Sequence, residues 1–317
     1  MKLGKNLSCA LLLIFLFVVP IFIKSEYHLH VLILCAINII LASSLRAIST
    51  VGQLSLGHAG FMSIGAYTSG ILVMKLGLSP YVGLLLGGLA AMVLAAVIAY
   101  PITRVRTVYF AMLTLFLGEV IRLVITEGRE ITGGTSGLLN IHPLEPISIL
   151  GLHIDFATRL PNYYFVLIFM LIVLLFLYRV DRSYIGITFK AIAQDESLSA
   201  STGINVARFK AVMFCIGCLI AGLTGGFYAH YVSVLTPDSF GLFTSIYILI
   251  YVVVGGTKRF AGAIIGAFIL TLIPEMFRTL KEYQPFIFAA VLFLVVFLLP
   301  RGIVDLPEQI KIMLRKT

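Results

Sequence analysis

Charge is scarce in this chain. Asp, Glu, Lys and Arg make up only 12% of its 317 residues, about half the usual share of a soluble domain, whereas 60% are hydrophobic. No water-soluble core absorbs that much apolar surface, so most of the chain has a bilayer for solvent. Acidic residues number 14 against 23 basic ones, and the apolar runs hold no paired carboxylates of the kind a coupling-ion site requires. Cysteine is limited to Cys9, Cys35, Cys215 and Cys218. All four lie in apolar runs, which argues against a disulfide framework. Cys215 and Cys218 stand three apart, as in a redox or metal pair, but no further ligand flanks them, and they read as small core residues.

The signatures of common chemistries are also missing. The chain has no G-x-x-x-x-G-K-[ST], no H-E-x-x-H and no G-x-S-x-G. It therefore does not hydrolyse ATP by itself through a P-loop. Thr132-Gly-Gly-Thr-Ser-Gly137 is rich in glycine but lacks the lysine and the strand–helix context of a nucleotide cradle. Neither an internal repeat nor a metal site is visible, and an enzyme is not expected.

Apolar runs are what the chain has instead, and they read as about ten membrane helices. The first, Leu7 to Ile23, follows Lys2 and Lys5 as a secretory signal would, but no small-x-small cleavage site follows, so a retained helix is expected. The next run from Leu29 to Leu45, Ser55 to Lys75, Pro80 to Tyr100 and Val108 to Ile125. Then come Asn162 to Tyr178, Ala211 to Tyr231, Leu242 to Gly255, Phe260 to Leu280 and Gln284 to Leu299. The eighth has only 14 residues and is tilted, re-entrant or broken at Gly255-Gly256. The expected fold class is thus all-α and polytopic, one transmembrane domain over 1–317, with an external loop at 126–161 and a cytoplasmic segment at 181–210. Ten spans place both termini on one face, and sixteen of the 23 Lys and Arg fall on that face. The positive-inside rule makes it the cytoplasmic one. A basic net charge of +9 then reflects topology, not affinity for nucleic acid.

Two stretches are candidates for function. The first is the polar run from Asp181 to Lys210. At 3.6 residues per turn, Phe189, Ile192, Ala193, Glu196 and Ala200 share one side of a helix, with Lys190, Gln194, Ser197 and Ser201 opposite. Gly203 stands where a left-handed residue ends a helix. A helix lying on lipid headgroups explains the apolar face but leaves Glu196 unpaired; a helix docked on a partner protein explains both. The second starts with Val51 to Tyr67, where Gly52, Ser55, Ala59, Ser63 and Ala66, continued by Gly70, form a small-residue stripe. Gln53, Ser55 and His58 gather at its start, beside an expected helix break. Close helix packing and a substrate path are both open for it, and His58 reads as a hydrogen-bonded interior histidine. Glu119 and Arg122, three apart within a span, read as a structural pair near the outer boundary. Gly222/Gly226 and Gly262/Gly266 read as packing devices.

The runs Gly52–Tyr67 (GQLSLGHAGFMSIGAY), Thr132–Leu138, Gly186–Asn205, Thr236–Phe240 and Val252–Ala267 resemble the LivM-type permease subunit of branched-chain amino-acid ABC importers. The resemblance extends over roughly Leu29 to Pro300. It implies a second homologous permease, two cytoplasmic ABC ATPases that use ATP, and an external substrate-binding protein. No cofactor is implied in this chain itself. A bacterial or archaeal cytoplasmic membrane is the implied location, with both termini inside. It further implies that 181–210 is the segment that docks on the ATPase, with Glu196, Ala200 and Gly203 at its acidic, small and glycine positions. The general E-A-A-x-x-x-G pattern is altered here, because Ser197-Leu198 follows Glu196 and one extra residue precedes Gly203. Related permeases serve other amino acids, short amides or urea. A stand-alone secondary carrier and a membrane enzyme are the rival readings.

Overall fold

A backbone in hydrocarbon has no water to bond, and helices satisfy it within one segment. The computed structural model describes residues 16–20, 22, 25–105, 107–149, 152–156, 158–276, 289, 293 and 302–305, and helices dominate them. In chain order these are α1 (Glu26–Ser49), α2 (His58–Leu76), α3 (Pro80–Ile102), α4 (Thr107–Glu127), α5 (Arg159–Arg182), α6 (Tyr184–Gln194), α7 (Glu196–Ser201), α8 (Val206–Val232), α9 (Leu242–Gly255) and α10 (Phe260–Met276). A helical turn at Arg129–Thr132 and a small hairpin interrupt the series. The hairpin pairs β1 (Ile147–Ile149) with β2 (Leu152–Ile154), Ile147 opposite Ile154.

Seven of the described helical segments are long and apolar enough to cross a membrane; the last of them, Pro237–Gly255, combines a 3-10 turn with α9. That extension lengthens the eighth run from 14 residues to 19. The expectation of about ten spans is thus met by seven. Most of Leu7–Ile23 and nearly all of Gln284–Leu299 lie outside the described residues, and the ninth run is described only to Met276, as α10.

Burial ranks the helices. Within its most apolar window 83% of α1 is buried, against 22% of α4, so α1 is central and α4 peripheral. α1 packs against α5, α8 and α10, while α8 packs against α2 and α3. The α2–α8 contact depends on missing side chains. A Cβ on Gly65 would stand 2.0 Å from the Gly222 carbonyl oxygen, and one on Gly222 would stand 2.6 Å from the Ala91 Cβ of α3. Close backbone approach of this kind replaces the hydrophobic drive that lipid abolishes. At one end of the bundle lie the start of α1, the start of α5 and the end of α8. Around a cavity of about 540 Å³ this end brings together His30, Arg159, Asn162, His230 and Tyr231. At the other end are the close of α1, the irregular stretch 50–57 and the segment from α6 to α7.

Candidate functional site

The polar run expected to be one helix is two. Ser183 caps α6, its hydroxyl accepting from the Gly186 N–H. Asp195 then leaves helical geometry (φ −154, ψ 109), and its carboxylate accepts from the Leu198 N–H at 2.9 Å to start α7. An N-cap carboxylate satisfies one of the donors that a helix start leaves open. Ser199 is tied to the same cap, its Oγ donating to the Asp195 carbonyl at 2.8 Å. Gly203 ends the segment with φ +86, in the left-handed region the sequence predicts. Asn205 caps α8 in turn.

The break corrects the expected face. Phe189 and Ile192 are buried, 2% and 0% exposed, and Phe189 lies edge-on to Phe209 of α8 with ring centres 6.0 Å apart. Their apolar side is covered by the chain's own bundle, so it is not the surface offered outward. Ala193, Glu196 and Ala200 are exposed beyond it. Large apolar side chains do face outward on this segment: Tyr184, Ile185, Ile187 and Leu198 are 90%, 51%, 62% and 65% exposed. Glu196 is also not without a partner within the chain, because Lys210 Nζ donates to its Oε1 at 2.5 Å.

The second candidate is a buried irregular stretch. Gly52 and Ser55 do not share a helix with Ala59 and Ser63 as the stripe supposed. Gly52 takes φ +82, Gly57 is the non-helical N-cap, and α2 begins only at His58. Ala59, Ser63, Ala66 and Gly70 keep the stripe on α2 and are buried. Non-helical backbone within a membrane protein is tolerated where protein satisfies it, and here the ends or faces of three helices, α3, α4 and α9, contribute. Gln53 Nε2 donates to the Thr103 carbonyl at the end of α3, 3.2 Å. Thr107 Oγ1 of α4 donates to the Gly52 carbonyl, 2.7 Å. The Leu56 N–H meets Thr114 Oγ1 of α4 at 3.0 Å, and the Ala59 N–H meets Ser245 Oγ of α9 at 3.1 Å. Ser63 Oγ donates to the Gly60 carbonyl.

His58 is fully buried, with Nε2 2.7 Å from Ser44 Oγ on α1. Ser44 gives its proton to the Leu41 carbonyl, so it accepts from Nε2–H. That leaves Nδ1 an acceptor, and this atom has no partner among the described residues. The interior, hydrogen-bonded reading of His58 is the one the structure gives.

The two candidates touch. The position of a Cβ on Gly52 lies 3.2 Å from the Ala193 Cα of α6, so the broken stretch rests against the back of the α6–α7 segment. Sequence reasoning missed Arg46 and Lys210, which counted only as face-sorting charges. Both are buried, 3% and 2% exposed, Arg46 against Asp181 at the end of α5 and Lys210 against Glu196 of α7. No short-range spacing relates Lys210 to Glu196, fourteen positions away.

At the opposite end, two of the sequence runs meet. Leu138 and Leu235 exchange backbone hydrogen bonds of 2.9 Å in each direction, which ties Thr132–Leu138 to the turn at Pro237–Phe240. Arg122 bridges Glu119 (2.8 Å) and Asp238 (3.3 Å) beside it.

The family described as "Branched-chain amino acid transport system / permease component" matches residues 27–299. The chain is 28% identical to the high-affinity branched-chain amino acid transport system permease protein LivM of Escherichia coli K12, over 98% of this chain and 78% of that protein. Similarity at 23% identity extends to the LivH permease protein of Salmonella typhimurium (83% of this chain, 89% of the relative). It also extends, at 23%, to the ribose import permease protein RbsC of Haemophilus influenzae (87% and 85%). No solved structure matches the chain.

Proposed function

Since the chain belongs to the family of permease components of branched-chain amino acid transport systems, we propose that it is the membrane permease subunit of an ATP-driven importer for branched-chain amino acids. It works beside a second, homologous permease, with the translocation path between the two. Two cytoplasmic ATPases bind and use the ATP; an external binding protein delivers the substrate. This chain performs no covalent chemistry and holds no cofactor. It lies in a bacterial or archaeal cytoplasmic membrane as about ten spans, both termini inside, with 126–161 outside and 181–210 in the cytoplasm.

The observation that carries the coupling role is the outward strip of Tyr184, Ile187 and Leu198 on a segment whose other apolar side is already packed inward. Exposed apolar side chains at the end of a bundle where Arg179, Arg182, Lys190 and Arg208 also lie suit a protein groove better than water. Glu196, Ala200 and Gly203 stand at the far end of that strip. Phe189 and Ile192 contribute from beneath, by fixing α6 on the bundle. Rearrangement at the ATPases would pass through α6 and α7 to α8 and to the 50–57 stretch against which α6 rests.

The test is reconstitution. This chain, its homologous partner and the ATPases co-expressed with them should purify together. In proteoliposomes they should take up leucine only with ATP and the binding protein present. Leucine uptake by this chain alone, driven by an ion gradient, would assign it to secondary carriers instead.

A further inference from the structure

Of the Lys and Arg side chains described, Arg46 and Lys210 are the buried ones, and both pair with carboxylates at or next to the α6–α7 segment. Arg46, on α1, faces Asp181 at 3.9 Å, and Asp181 also holds Lys190 of α6 at 3.1 Å. Arg46 Nη2 also donates to the Lys258 carbonyl in the α9–α10 connection, 3.5 Å. The Lys210 pair is tighter and more lopsided. Lys210 is 2% exposed, whereas Glu196, 2.5 Å away, is 50% exposed. The desolvation cost of the pair therefore falls on the lysine, and a buried ion that loses its counter-charge is strongly penalised. Lys210 sits in the first turns of α8, which packs against both α2 and α3. Glu196 is the first residue of α7, just past the Asp195 break.

We infer that Lys210 is a positioning residue that locks α7 to α8, so that the coupling segment and the transport helices move together. The inference rests on the coupling role proposed above and assigns the carboxylate of Glu196 to this chain's own lysine, not to a cation of the ATPase. The Asp195 break makes α7 a separate helix of six residues, whose axis is not fixed by continuous helical bonding to α6. Without the ion pair, motion at α6 and α7 has no charged link to α8. With it, any swing of α7 that leaves α8 behind strands a buried cation.

The full complex in proteoliposomes decides it, by leucine taken up per ATP hydrolysed. Lys210→Met keeps the length of the side chain and removes the charge. The ATPases should still co-purify and hydrolyse ATP, while uptake per ATP falls about tenfold, within the usual range of coupling between sites. The reversed pair, Glu196→Lys with Lys210→Glu, should recover most of the ratio that either reversal alone loses. A role in stability alone would lower the yield of complex and leave the ratio unchanged. Should Lys210→Met fail to accumulate, the reversed pair decides: recovery of yield and ratio together supports the lock, and recovery of yield without the ratio overturns it. An unchanged ratio in Lys210→Met also overturns it, as does loss of the ATPases in Glu196→Gln but not in Lys210→Met. Failure of the wild-type chain to hold ATPases at all would instead remove the coupling role.

Discussion

A Cβ on Gly65 of α2 would stand 2.0 Å from the carbonyl oxygen of Gly222 on α8. The two backbones touch there, and the contact joins the helix carrying the small-residue stripe to the helix carrying Lys210. Over-packing a well-filled contact typically costs about 1–3 kcal/mol. Gly65→Ala and Gly222→Ala should each lower the thermal midpoint of the purified subunit and its monodisperse fraction. Gly241→Ala has φ −72 and no neighbour nearer than 3.4 Å, and it should melt as the parent does. Equal melting of all three would remove the close-contact argument.

Inward and outward apolar residues of α6 should separate by assay. Phe189→Ala empties a buried site, a change that costs about 3–5 kcal/mol in soluble cores, and should reduce the yield of folded subunit. Ile187→Ser, on the exposed side, should leave yield and melting intact and reduce recovery of the ATPases. The reverse pattern would restore the face that sequence periodicity chose.

The cap and the stop of α7 give a third comparison. Asp195→Ala removes the bond to the Leu198 N–H, worth about 1 kcal/mol. Gly203→Val places a β-branched residue at φ +86 with nothing within 4 Å of its Cβ, so backbone strain of about 1–2 kcal/mol acts without a clash. Both should weaken ATPase recovery while the spans stay intact by protease protection. Ser197→Ala, exposed between them, should do neither.

Topology is testable without the partners. A cytoplasmic reporter fused after Arg182 should be active, and one fused after Gly137 inactive; the opposite pair of results would invert the orientation.

Much of this fold is legible in the sequence because lipid enforces one rule on every span. The run Leu242–Gly255 matches α9 residue for residue, and Pro80 opens α3 where the run begins. The polar segment from Asp181 to Lys210 was harder because no such rule binds a polar run. Helical periodicity put Phe189, Ile192 and Glu196 on one face, yet Asp195 is a preferred N-cap residue, and the cap, not the periodicity, decided the geometry. Arg46 and Lys210 were misjudged for a related reason. Counting charges per face assumes that each one reaches water, and a cation buried against a carboxylate far along the chain leaves no local pattern. The broken start of α2 was legible from its glycines; that three separate helices, α3, α4 and α9, bond to it was not.

Biogenesis inherits a constraint from the irregular stretch 50–57 together with the first turn of α2. Its partners are distributed along the chain: Thr103, Thr107 and Thr114 come soon after it, but Ser245 comes nearly two hundred residues later. Until α9 has been synthesised and inserted, the Ala59 N–H has no acceptor of its native kind, and an unsatisfied backbone group in hydrocarbon costs several kcal/mol. The helices before it can enter the bilayer one at a time, but this knot closes only after α9 arrives. A nascent chain stalled before Ser245 would keep the Ala59 N–H without its native acceptor while its other bonds to Thr103, Thr107 and Thr114 could already form.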